Sequence, residues 1–579
     1  MDLATHFAER LFCDVEMFRS CEQCGLCSSA CPLTGTDGFN IRRILRYVEL
    51  GLVAEIAGTR LPWICTTCGR CEGVCPNGIA VLGIIRPLRA LGPEEFVPES
   101  APCAAACPAG IDVPEYVRLI AAGDPSAALS VIAESVPFPG VLGRVCTHPC
   151  ELECRRGEVN QAVSICALKR FAADQVGEDL PIHRAGADTG RSVGIVGAGP
   201  AGLAAAWFLR RKGHEVRVFE AREKAGGMLR YGIPAYRLPE DVLDREISGV
   251  LSLGVELKCG MKLGEDFELE RLKKDYDAVL ITVGLWRSRR LPLEGAELDG
   301  VLRGLEFLIS SREGGAPETG QNLVVVGGGN VAVDVALTAL RLGAGRVTMA
   351  CLETLEEMPA SPRELEIAVE EGVEVLPSWG PCRIFGDNGC VTGVELVRCT
   401  SVFDEKGAFC PMFGEESREI KADRVILAVG QQGDMSFVGD DQKLVTAEGL
   451  IAADQTTLRA GMNGVFAAGD AVSGPGTVVE AIAAGKRAGA EIDRFLGGDG
   501  MLEASGRKEK WDGSYDGKRP EGFPDQVRGK LPAAPLEERR KTFVEIDRCF
   551  SAEQAVKEAS RCLQCDLEIR LAMNIRKNM

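Results

Sequence analysis

Histidine and aromatic residues are scarce in this chain. Only four histidines occur among its 579 residues, so acid–base catalysis by histidine or by histidine-bound zinc has few residues to use. Aromatic residues make up 6% of the chain, which is typical of nucleotide-binding α/β domains rich in Gly and Ala. No run of about 18 apolar residues exists, and we therefore expect no segment that spans a membrane.

Acidic residues also outnumber basic residues in this chain. The formal net charge is −18 and no Lys/Arg run occurs, so a nucleic acid is not an expected partner. The first twelve residues carry acidic side chains and no apolar stretch of the secretory type. Together with the many cysteines, these features predict a protein of the reducing cytoplasm, whose cysteines bind metal rather than form disulfides.

Cysteine, by contrast, is abundant, and sixteen of the 24 cysteines have the spacing of iron–sulfur ligands. Two runs of the form C-x-x-C-x-x-C-x-x-x-C-P lie near the N-terminus: Cys21, Cys24, Cys27 and Cys31, and Cys65, Cys68, Cys71 and Cys75. In such runs three thiolates hold one cubane and the cysteine before Pro holds the other. We therefore predict two [4Fe–4S] clusters, with Cys75 completing the first set and Cys31 the second. Zinc or disulfides are the alternative, but zinc knuckles use two separate C-x-x-C pairs.

A second group of cysteines has a different spacing. It contains six residues, two short of the eight thiols that two cubanes need: Cys103, Cys107, Cys146, Cys150, Cys154 and Cys166. A C-x-x-C pair near the C-terminus, Cys562 and Cys565, is the candidate for the missing two. The alternatives are that Cys166 is a buried thiol and that the C-terminal pair is free or binds zinc.

Two glycine-rich motifs predict two dinucleotide-binding folds. The first follows an apolar strand and opens a helix, and Glu220 ends the next strand; its residues are Gly197, Gly199, Pro200, Ala201 and Gly202. Glycine lets the backbone approach a pyrophosphate at a helix N-terminus, and the acid holds ribose hydroxyls. The second motif has the form G-x-G-x-x-A, and Glu353 follows the next strand; its residues are Gly327, Gly329, Asn330 and Ala332.

Residues 1–96 resemble the small two-cluster subunit of heterodisulfide reductase. The resemblance rests on the order of a cluster run, a helix and the sequence W-x-C-T-T-C-x-x-C from Trp63 to Cys71. It implies a segment that conducts electrons and has no chemistry of its own.

Residues 97–497 resemble the β subunit of NADPH-dependent glutamate synthase. They are also similar to the N-terminal half of dihydropyrimidine dehydrogenase and to the large subunit of NADH-dependent ferredoxin:NADP oxidoreductase. In that family an R-C-L-x-C motif directly precedes the cysteines matched by Cys103 and Cys107, whereas here it lies at residues 561–565, as if permuted. The resemblance therefore implies that the C-terminal tail folds back and completes a cluster.

The implied ligand sets are Cys103, Cys154, Cys562 and Cys565 for one cluster, and Cys107, Cys146, Cys150 and Cys166 for the other. The family often has a non-cysteine fourth ligand at the position of Lys169, which cannot ligate, so Cys166 is the implied substitute. The resemblance also implies that Asp470 binds the ribityl and phosphate region of FAD, and that Thr477 and the helix after it approach the flavin ring. Other residues matching the flavin site are Gly227, Gly232, Ile233 and Gly469.

The predicted fold is a multidomain one, with two α-helical iron–sulfur domains and two Rossmann-like α/β domains, the FAD domain being interrupted by the NAD(P) domain. The predicted boundaries are 1–96 and 97–185 for the iron–sulfur domains, 186–290 and 429–497 for the FAD domain, 291–428 for the NAD(P) domain, and 498–579 for a linker and the tail.

Glu353 predicts a preference for NADH. Relatives that use NADPH carry paired arginines at this place, whereas a carboxylate accepts ribose hydroxyls and repels a 2′-phosphate. The alternative is that Arg363 or Lys406 reaches the site from elsewhere.

The expected function is that of an electron-transfer subunit, in which NADH reduces FAD and four [4Fe–4S] clusters pass the electrons to a partner. The resemblance suggests a partner of heterodisulfide-reductase type, a hydrogenase, a formate dehydrogenase or a ferredoxin. One alternative is a stand-alone NAD(P)H:ferredoxin or NAD(P)H:acceptor oxidoreductase, including a flavin-bifurcating one. The other is a structural, cluster-bearing subunit without activity. Arg155 and Arg156, next to Cys154, are expected to be a solvated surface pair; the alternative is that their positive charge raises the potential of a cluster.

Overall fold

The computed structural model describes residues 19–177, 184–438, 444–502 and 515–578. Its N-terminal part is a small helical unit around the two cysteine runs. The helices are α1 (Leu26–Ala30), α2 (Ile41–Glu49), α3 (Val53–Ala57), α4 (Leu61–Ile64), α5 (Arg70–Gly73) and α6 (Leu82–Leu91). Asn40 caps α2 by accepting a hydrogen bond from the Arg43 N–H. The apolar residues of α2 recur at helical spacing and lie in one core with Cys65 and Cys71.

Residues 101–176 form a second helical unit. Its helices are α7 (Pro102–Ala105), α8 (Val113–Ala121), α9 (Pro125–Ser135), α10 (Pro139–Val145), α11 (Pro149–Leu152) and α12 (Ile165–Val176). Five of them have proline in the first turn, where its missing N–H has no intrahelical partner to lose. None of the helices in the described ranges is by itself long and apolar enough to cross a membrane; α9 and α10, which meet at 90°, pass that test only as a bent pair.

Fifteen strands lie in the described residues between 192 and 467. They are β1 (Ser192–Val196), β2 (Glu215–Glu220), β3 (Glu256–Cys259), β4 (Ala278–Ile281), β5 (Arg287–Ser288), β6 (Val301–Arg303), β7 (Asn322–Val326), β8 (Arg346–Cys351), β9 (Glu374–Pro377), β10 (Trp379–Asp387), β11 (Cys390–Phe403), β12 (Phe409–Lys421), β13 (Arg424–Leu427), β14 (Gln431–Gln432) and β15 (Val465–Ala467). The remaining helices are α13 (Pro200–Arg211), α14 (Met228–Tyr231), α15 (Glu240–Leu251), α16 (Leu269–Asp275), α17 (Gly304–Arg312), α18 (Asn330–Arg341), α19 (Pro362–Glu371), α20 (Asp470–Ser473), α21 (Val478–Phe495), α22 (Leu536–Arg539), α23 (Ala552–Ala559) and α24 (Cys565–Asn578).

Two parallel five-stranded sheets form the α/β part. The first has the order β15-β4-β1-β2-β3 and the second the order β6-β13-β7-β8-β9. Because β15 pairs with β4, in the register Val465↔Val279, the chain completes the first sheet only after it has built the second. The predicted interruption of one Rossmann-like domain by another is therefore present. An antiparallel sheet, β10-β11-β12, and the short pair β14-β5 connect to them.

The tail lies across both helical units. Ile546 donates its N–H to the Tyr236 carbonyl, and Arg576 of α24 donates to the Ala90 carbonyl at 2.7 Å. Part of the predicted linker, residues 503–514, lies outside the described residues. The part from residue 515 onward is held by specific contacts: Phe523 is 2% exposed, and Arg519 donates to the Leu563 carbonyl at 2.8 Å. This path brings the C-terminal cysteine pair back to the iron–sulfur units.

Candidate cofactor sites

Four thiols from the two N-terminal runs surround one small cavity. They are Cys21, Cys24, Cys27 and Cys75, the set predicted for the first cluster. Apolar side chains complete much of the wall: Leu26, Leu45, Ile79 and Val81. Thiols spread around an apolar space fit a cubane, because each of its iron corners takes one thiolate.

The second predicted set, Cys31, Cys65, Cys68 and Cys71, lies deeper in the same unit. Burial raises the pKa of the Cys65 thiol to about 11. Burial and then the neighbouring thiols, with Cys31 among them, raise the pKa of Cys71 well above its ordinary value. Thiols in such a place stay protonated unless a cation joins them, and bound iron supplies that positive charge.

The tail pair meets the second helical unit at a third cavity. Its four thiols are Cys103, Cys154, Cys562 and Cys565, the set that the resemblance implies. The lining is otherwise apolar except for the neighbouring arginines Arg155 and Arg156. Burial raises the pKa of Cys562 to about 12 and that of Cys565 to about 11, as it does for the thiols of the second set.

A buried lysine lies among the four thiols of the fourth predicted set, Cys107, Cys146, Cys150 and Cys166. Lys169 is 4% exposed, and no carboxylate of the described residues forms an ion pair with it. Burial lowers the pKa of Lys169, but the negative charge of the four thiols outweighs burial and raises the pKa above its ordinary value. A buried ammonium needs an opposing charge, and an anionic cluster held by these thiolates supplies one. In the structure the Cys166 Sγ donates a hydrogen bond to the Leu142 carbonyl at 3.2 Å.

One backbone turn recurs in all four sets. Eight described non-glycine residues have a positive φ, and four of them lie two residues after the first cysteine of a pair or run: Gln23, Thr67, His148 and Gln564, with φ between 54° and 59°. The Thr67 N–H donates to the Cys65 Sγ at 3.3 Å, and the Gln564 N–H donates to the Cys562 Sγ at 3.4 Å. A left-handed residue is strained, but here it directs an N–H toward the sulfur, and such hydrogen bonds stabilise a thiolate. Sequence spacing alone did not reveal this shared turn.

The first glycine motif lies at a cavity of about 430 Å³ between the ends of β1, β2 and β4 and the start of α21. Gly197 has a φ of +104°, and a Cβ there would lie 2.4 Å from the Thr282 carbonyl oxygen. On Gly202 a Cβ would lie 2.0 Å from the Gly197 oxygen, so both glycines are needed for packing. On Gly199 it would meet no protein atom closer than 3.8 Å. Space above the middle glycine is what a pyrophosphate needs.

Three carboxylates line this cavity, those of Glu220, Asp470 and Asp434, the last of which pairs with Arg287. Glu220 is buried, which raises its pKa, and it accepts hydrogen bonds from the N–H groups of Ala198 (2.8 Å) and Arg222 (2.9 Å). Burial raises the pKa of Asp470 to about 6. Pro200, Ala201, Gly227 and Gly469 also line the cavity. These residues fit the phosphates and hydroxyls of a dinucleotide.

Four of the predicted flavin-site residues are not part of the cavity wall, and the first is Gly202, which packs against Gly197. Thr477 is the N-cap of α21 and forms a capping box with Glu480, so it fixes the helix start while Ala481 lines the cavity. Gly232 and Ile233 follow α14, behind Gly227.

The sequence did not single out Trp286, Arg222 or Arg287, which line the same cavity. The guanidinium of Arg222 lies 5.0 Å from the Trp286 ring centre and 5.2 Å from that of Tyr231. Trp286 lies just past the carboxyl end of β4, the sheet edge where such folds bind ligands, and this position is the signal that could have identified it.

The glycines of the second motif have the same roles as those of the first: the first glycine packs against the protein, and the middle one faces open space. Gly327 has a φ of +144° and is packed against the Ala428 carbonyl, whereas a Cβ on Gly329 would be no closer than 4.0 Å to any protein atom. Ala332 packs against Gly327, and the Asn330 side chain accepts the Ser361 N–H at 2.7 Å, so Asn330 holds a loop. The Glu353 carboxylate lies over the loop, because a Cβ on Gly328 would be 2.7 Å from its Oε2.

The basic residues that were named as alternatives to Glu353 have other polar partners. Arg363 pairs with Glu366 and with Asp547 of the tail. Lys406 lies in the turn between β11 and β12, where its N–H bonds the Asp404 side chain. Neither contact involves the glycine loop.

The expectation of a solvated Arg155–Arg156 pair is wrong. Arg156 is 0% exposed and donates to the carbonyls of Phe523 (2.8 Å) and Arg561 (3.2 Å) of the tail. Arg155 donates to the carbonyls of Trp63 (3.1 Å) and Cys65 (3.3 Å). The pair is covered because the tail and the N-terminal unit both meet the second unit here, which local sequence does not show.

Comparison with known proteins identifies the architecture. The sequence model described as pyridine nucleotide-disulphide oxidoreductase matches residues 191–485, about half of the chain. This chain belongs to that family. Models described as dihydropyrimidine dehydrogenase domain II, 4Fe-4S cluster, and as a 4Fe-4S dicluster domain match residues 98–179 and 17–79. The protein is therefore an oxidoreductase of the FAD, NAD(P) and [4Fe–4S] type, as the resemblance predicted.

Members of the family with assigned names are similar over most of this chain. NADP(+)-dependent formate dehydrogenase subunit beta of Moorella thermoacetica is 38% identical over 513 residues, 83% of this chain and 72% of that one. NADPH-Fe(3+) oxidoreductase subunit beta of Geobacter sulfurreducens is 35% identical over 514 residues, 80% and 75% of the two chains. Glutamate synthase [NADPH] small chain of Azospirillum brasilense is 34% identical over 414 residues, 68% and 86% of the two chains, which confirms the predicted resemblance.

The ligand sets predict the iron content of cysteine variants. Cys562→Ser, and separately Cys166→Ser, should each lower iron by up to about four atoms per chain and remove one cluster signal from the electron paramagnetic resonance (EPR) spectrum. Cys410→Ser, which removes an exposed thiol of no set, should leave both unchanged. Unaltered iron and spectrum in Cys562→Ser would show that the tail does not ligate.

Lys169 should raise the reduction potential of the fourth cluster. Lys169→Met removes the ammonium that stabilises the more negative reduced form, so one cluster potential should fall by about 100 mV, from Coulomb's law at a separation of about 6 Å and an effective dielectric constant of about 20. An EPR-monitored redox titration measures this fall. Lys169→Arg keeps the charge and serves as the control, and equal shifts in both variants would assign the effect to packing.

Proposed function

We propose that this chain is the electron-input subunit of a redox complex, which oxidises NAD(P)H at the FAD site and delivers electrons to a partner at the N-terminal unit. The observation that carries the proposal is a series of contacts from the flavin cavity through the fourth and third thiol sets to the second, whose hydrophobic core also packs against thiols of the first set. FAD supplies hydride acceptance and release of electrons one at a time, and the clusters supply one-electron transfer. The protein's own residues position these groups and keep water away from them.

The first contact joins the flavin site to the fourth thiol set. Helix α21 has Ala481 at the flavin cavity, and one and a half turns later the Lys486 ammonium donates to the Ala109 carbonyl at 2.6 Å. Ala109 is two residues from Cys107. Burial lowers the pKa of Lys486 to about 8, as expected for an ammonium inside this junction.

The fourth and third sets are joined through the second helical unit. Cys103 and Cys107 lie at opposite ends of one short helix, α7. Tyr116 is 1% exposed between the two sets, and burial, followed by thiols of both sets, raises its pKa well above the ordinary value. Its hydroxyl donates to the Ile165 carbonyl, so it fills the space between the sets without a free polar group.

The third and second sets meet where the tail crosses the N-terminal unit. Cys68, Leu563 and Phe523 belong to one small hydrophobic cluster, against which Cys565 packs. Arg155 crosses the same junction, from beside Cys154 to the Cys65 carbonyl. A dry, close contact between two thiol sets is what one-electron transfer requires, and it depends on the tail.

The donor that we propose is NADH. The Glu353 carboxylate lies over the second glycine loop, where it accepts ribose hydroxyls and repels a 2′-phosphate. The Moorella and Geobacter relatives are named for NADP and NADPH, so the proposal gives this chain a different donor from theirs. The subunit names of these relatives support a redox-complex partner, of which a formate dehydrogenase is one class.

An anaerobic titration of the purified protein tests the electron path. Stepwise NADH should bleach the flavin absorbance and then produce EPR signals of reduced clusters, because the contacts connect the two. A flavin that is fully reduced while every cluster stays silent would contradict the path.

The donor preference has its own test. Glu353→Arg should raise the ratio of kcat/KM for NADPH to that for NADH by about tenfold or more, because it replaces a repelling charge by one that pairs with a phosphate. Glu356→Arg makes the same charge change on the exposed part of the same loop and should leave the ratio unchanged. A ratio that does not move in Glu353→Arg would show that this residue is not the selector.

A further inference from the structure

The exit for electrons lies at the first thiol set. Of the sixteen proposed ligands, all of which are described, only Cys24 is exposed, and the others are buried or half-buried. Leu26 and Val74, which neighbour ligands of the two runs, are exposed by 48% and 38%. An exposed ligand with apolar neighbours is suited to a protein partner, because interface centres are apolar and an electron crosses a short gap.

A row of arginines lies beside this exposed thiol. Arg42, Arg43 and Arg46 lie on the outward face of α2, whose inward face is apolar. A Cβ on Gly25, next to Cys24, would be 3.6 Å from the Arg42 guanidinium, and the Arg42 N–H donates to the Ser28 Oγ at 2.9 Å. The row is therefore fixed against the loop that carries Cys24.

The row is rich in positive charge, and only one of its three arginines has an ion-pair partner among the described residues. Among the described residues, Arg42 and Arg43 form no ion pair; the Arg43 guanidinium lies 5.6 Å from the Tyr47 ring centre, and Arg46 pairs with Glu49 at 2.9 Å. Residues 19–91 contain eight arginines against five carboxylates, whereas the whole chain has a net charge of −18. An acidic partner is thus repelled by most of the molecule and attracted at this surface, which selects its orientation.

We propose that Leu26, Val74 and the arginine row form a docking surface for an acidic one-electron carrier of ferredoxin type. The proposal rests on the proposed function and names the partner of its last step. One NAD(P)H yields NAD(P)+, one proton and two electrons, and two carrier molecules take one electron each. No bond forms in the transfer between the proteins, so the surface has only to hold the carrier close and oriented.

The test measures, by stopped flow, electron transfer from a chemically reduced, acidic plant-type [2Fe–2S] ferredoxin to the oxidised holoprotein, which is the downhill direction across the same surface for a carrier of such low reduction potential. The second-order rate constant should fall about tenfold between low and physiological salt, because steering between opposite charges is screened. Arg43→Glu with Arg46→Glu, which leaves the cavity-lining Arg42 in place, should lower the low-salt rate constant about tenfold or more and abolish its fall with salt. Reduction of a small neutral quinone by the NADH-reduced holoprotein should be unchanged.

The matched control reverses two exposed arginines elsewhere, Arg271→Glu with Arg346→Glu, and should keep the wild-type rate and salt dependence. Equal slowing in the control, or no slowing in the α2 variant, would overturn the docking surface. Iron content and the EPR spectrum establish that the α2 variant retains its clusters, and Arg43→Glu alone gives an independent, smaller effect. If NADH reduces no cluster in the wild type, the proposed function fails instead, so the two failures are distinguishable.

Discussion

A buried carboxylate near the C-terminal end joins the N-terminal iron–sulfur unit to the tail that supplies two thiols of the third set. Glu568 of α24 is 3% exposed and accepts hydrogen bonds from Arg86 of the N-terminal unit and from Tyr515 and Arg519 of the tail. Burial alone would raise the pKa of Glu568, but these arginines outweigh burial and lower it, so the charged form is the stable one. Because Cys562 and Cys565 lie on the same tail, the third cavity exists only where this anchor places them.

The four cysteine sets depend both on strained local turns and on contacts between distant segments of the chain. The left-handed turn after each first cysteine orients N–H groups toward sulfur without help from distant residues, as Thr67 and Gln564 show in two unrelated segments. Each set includes at least one thiol from elsewhere in the chain, and the third set takes two, Cys562 and Cys565, from the tail. Such sites have little reason to hold their geometry until iron offsets the raised pKa values of the buried thiols, so folding and cluster binding are coupled.

Much of this arrangement could be predicted from sequence because it depends on short, fixed spacings. The cysteine runs, the two glycine motifs and the strand before Asp470 each specify a local structure that the topology then uses. The burial of Arg156 and the isolation of Lys169 could not be predicted, since each depends on segments far apart in the chain. Thr477 illustrates the reverse case: it belongs to a recognised motif but fixes a helix start instead of lining the flavin cavity, and the Asn330 side chain likewise holds a loop.

The kind of charged group and its burial change along the path from the flavin site to the exposed Cys24. At the flavin end the buried groups are carboxylates and the backbone of glycine loops, which suit a dinucleotide; in the middle, Lys169, Arg155 and Arg156 place positive charge inside the protein beside thiol sets. Positive charge in a dry interior favours the reduced, more negative state of a cluster far more than the same charge at the surface does. Near the exposed Cys24 the arginines lie on the outer face of α2, where their charge acts on an approaching partner and not on a buried cluster. Arginine therefore has two roles: inside the protein it stabilises reduced clusters, and at the exposed surface it recognises the electron acceptor.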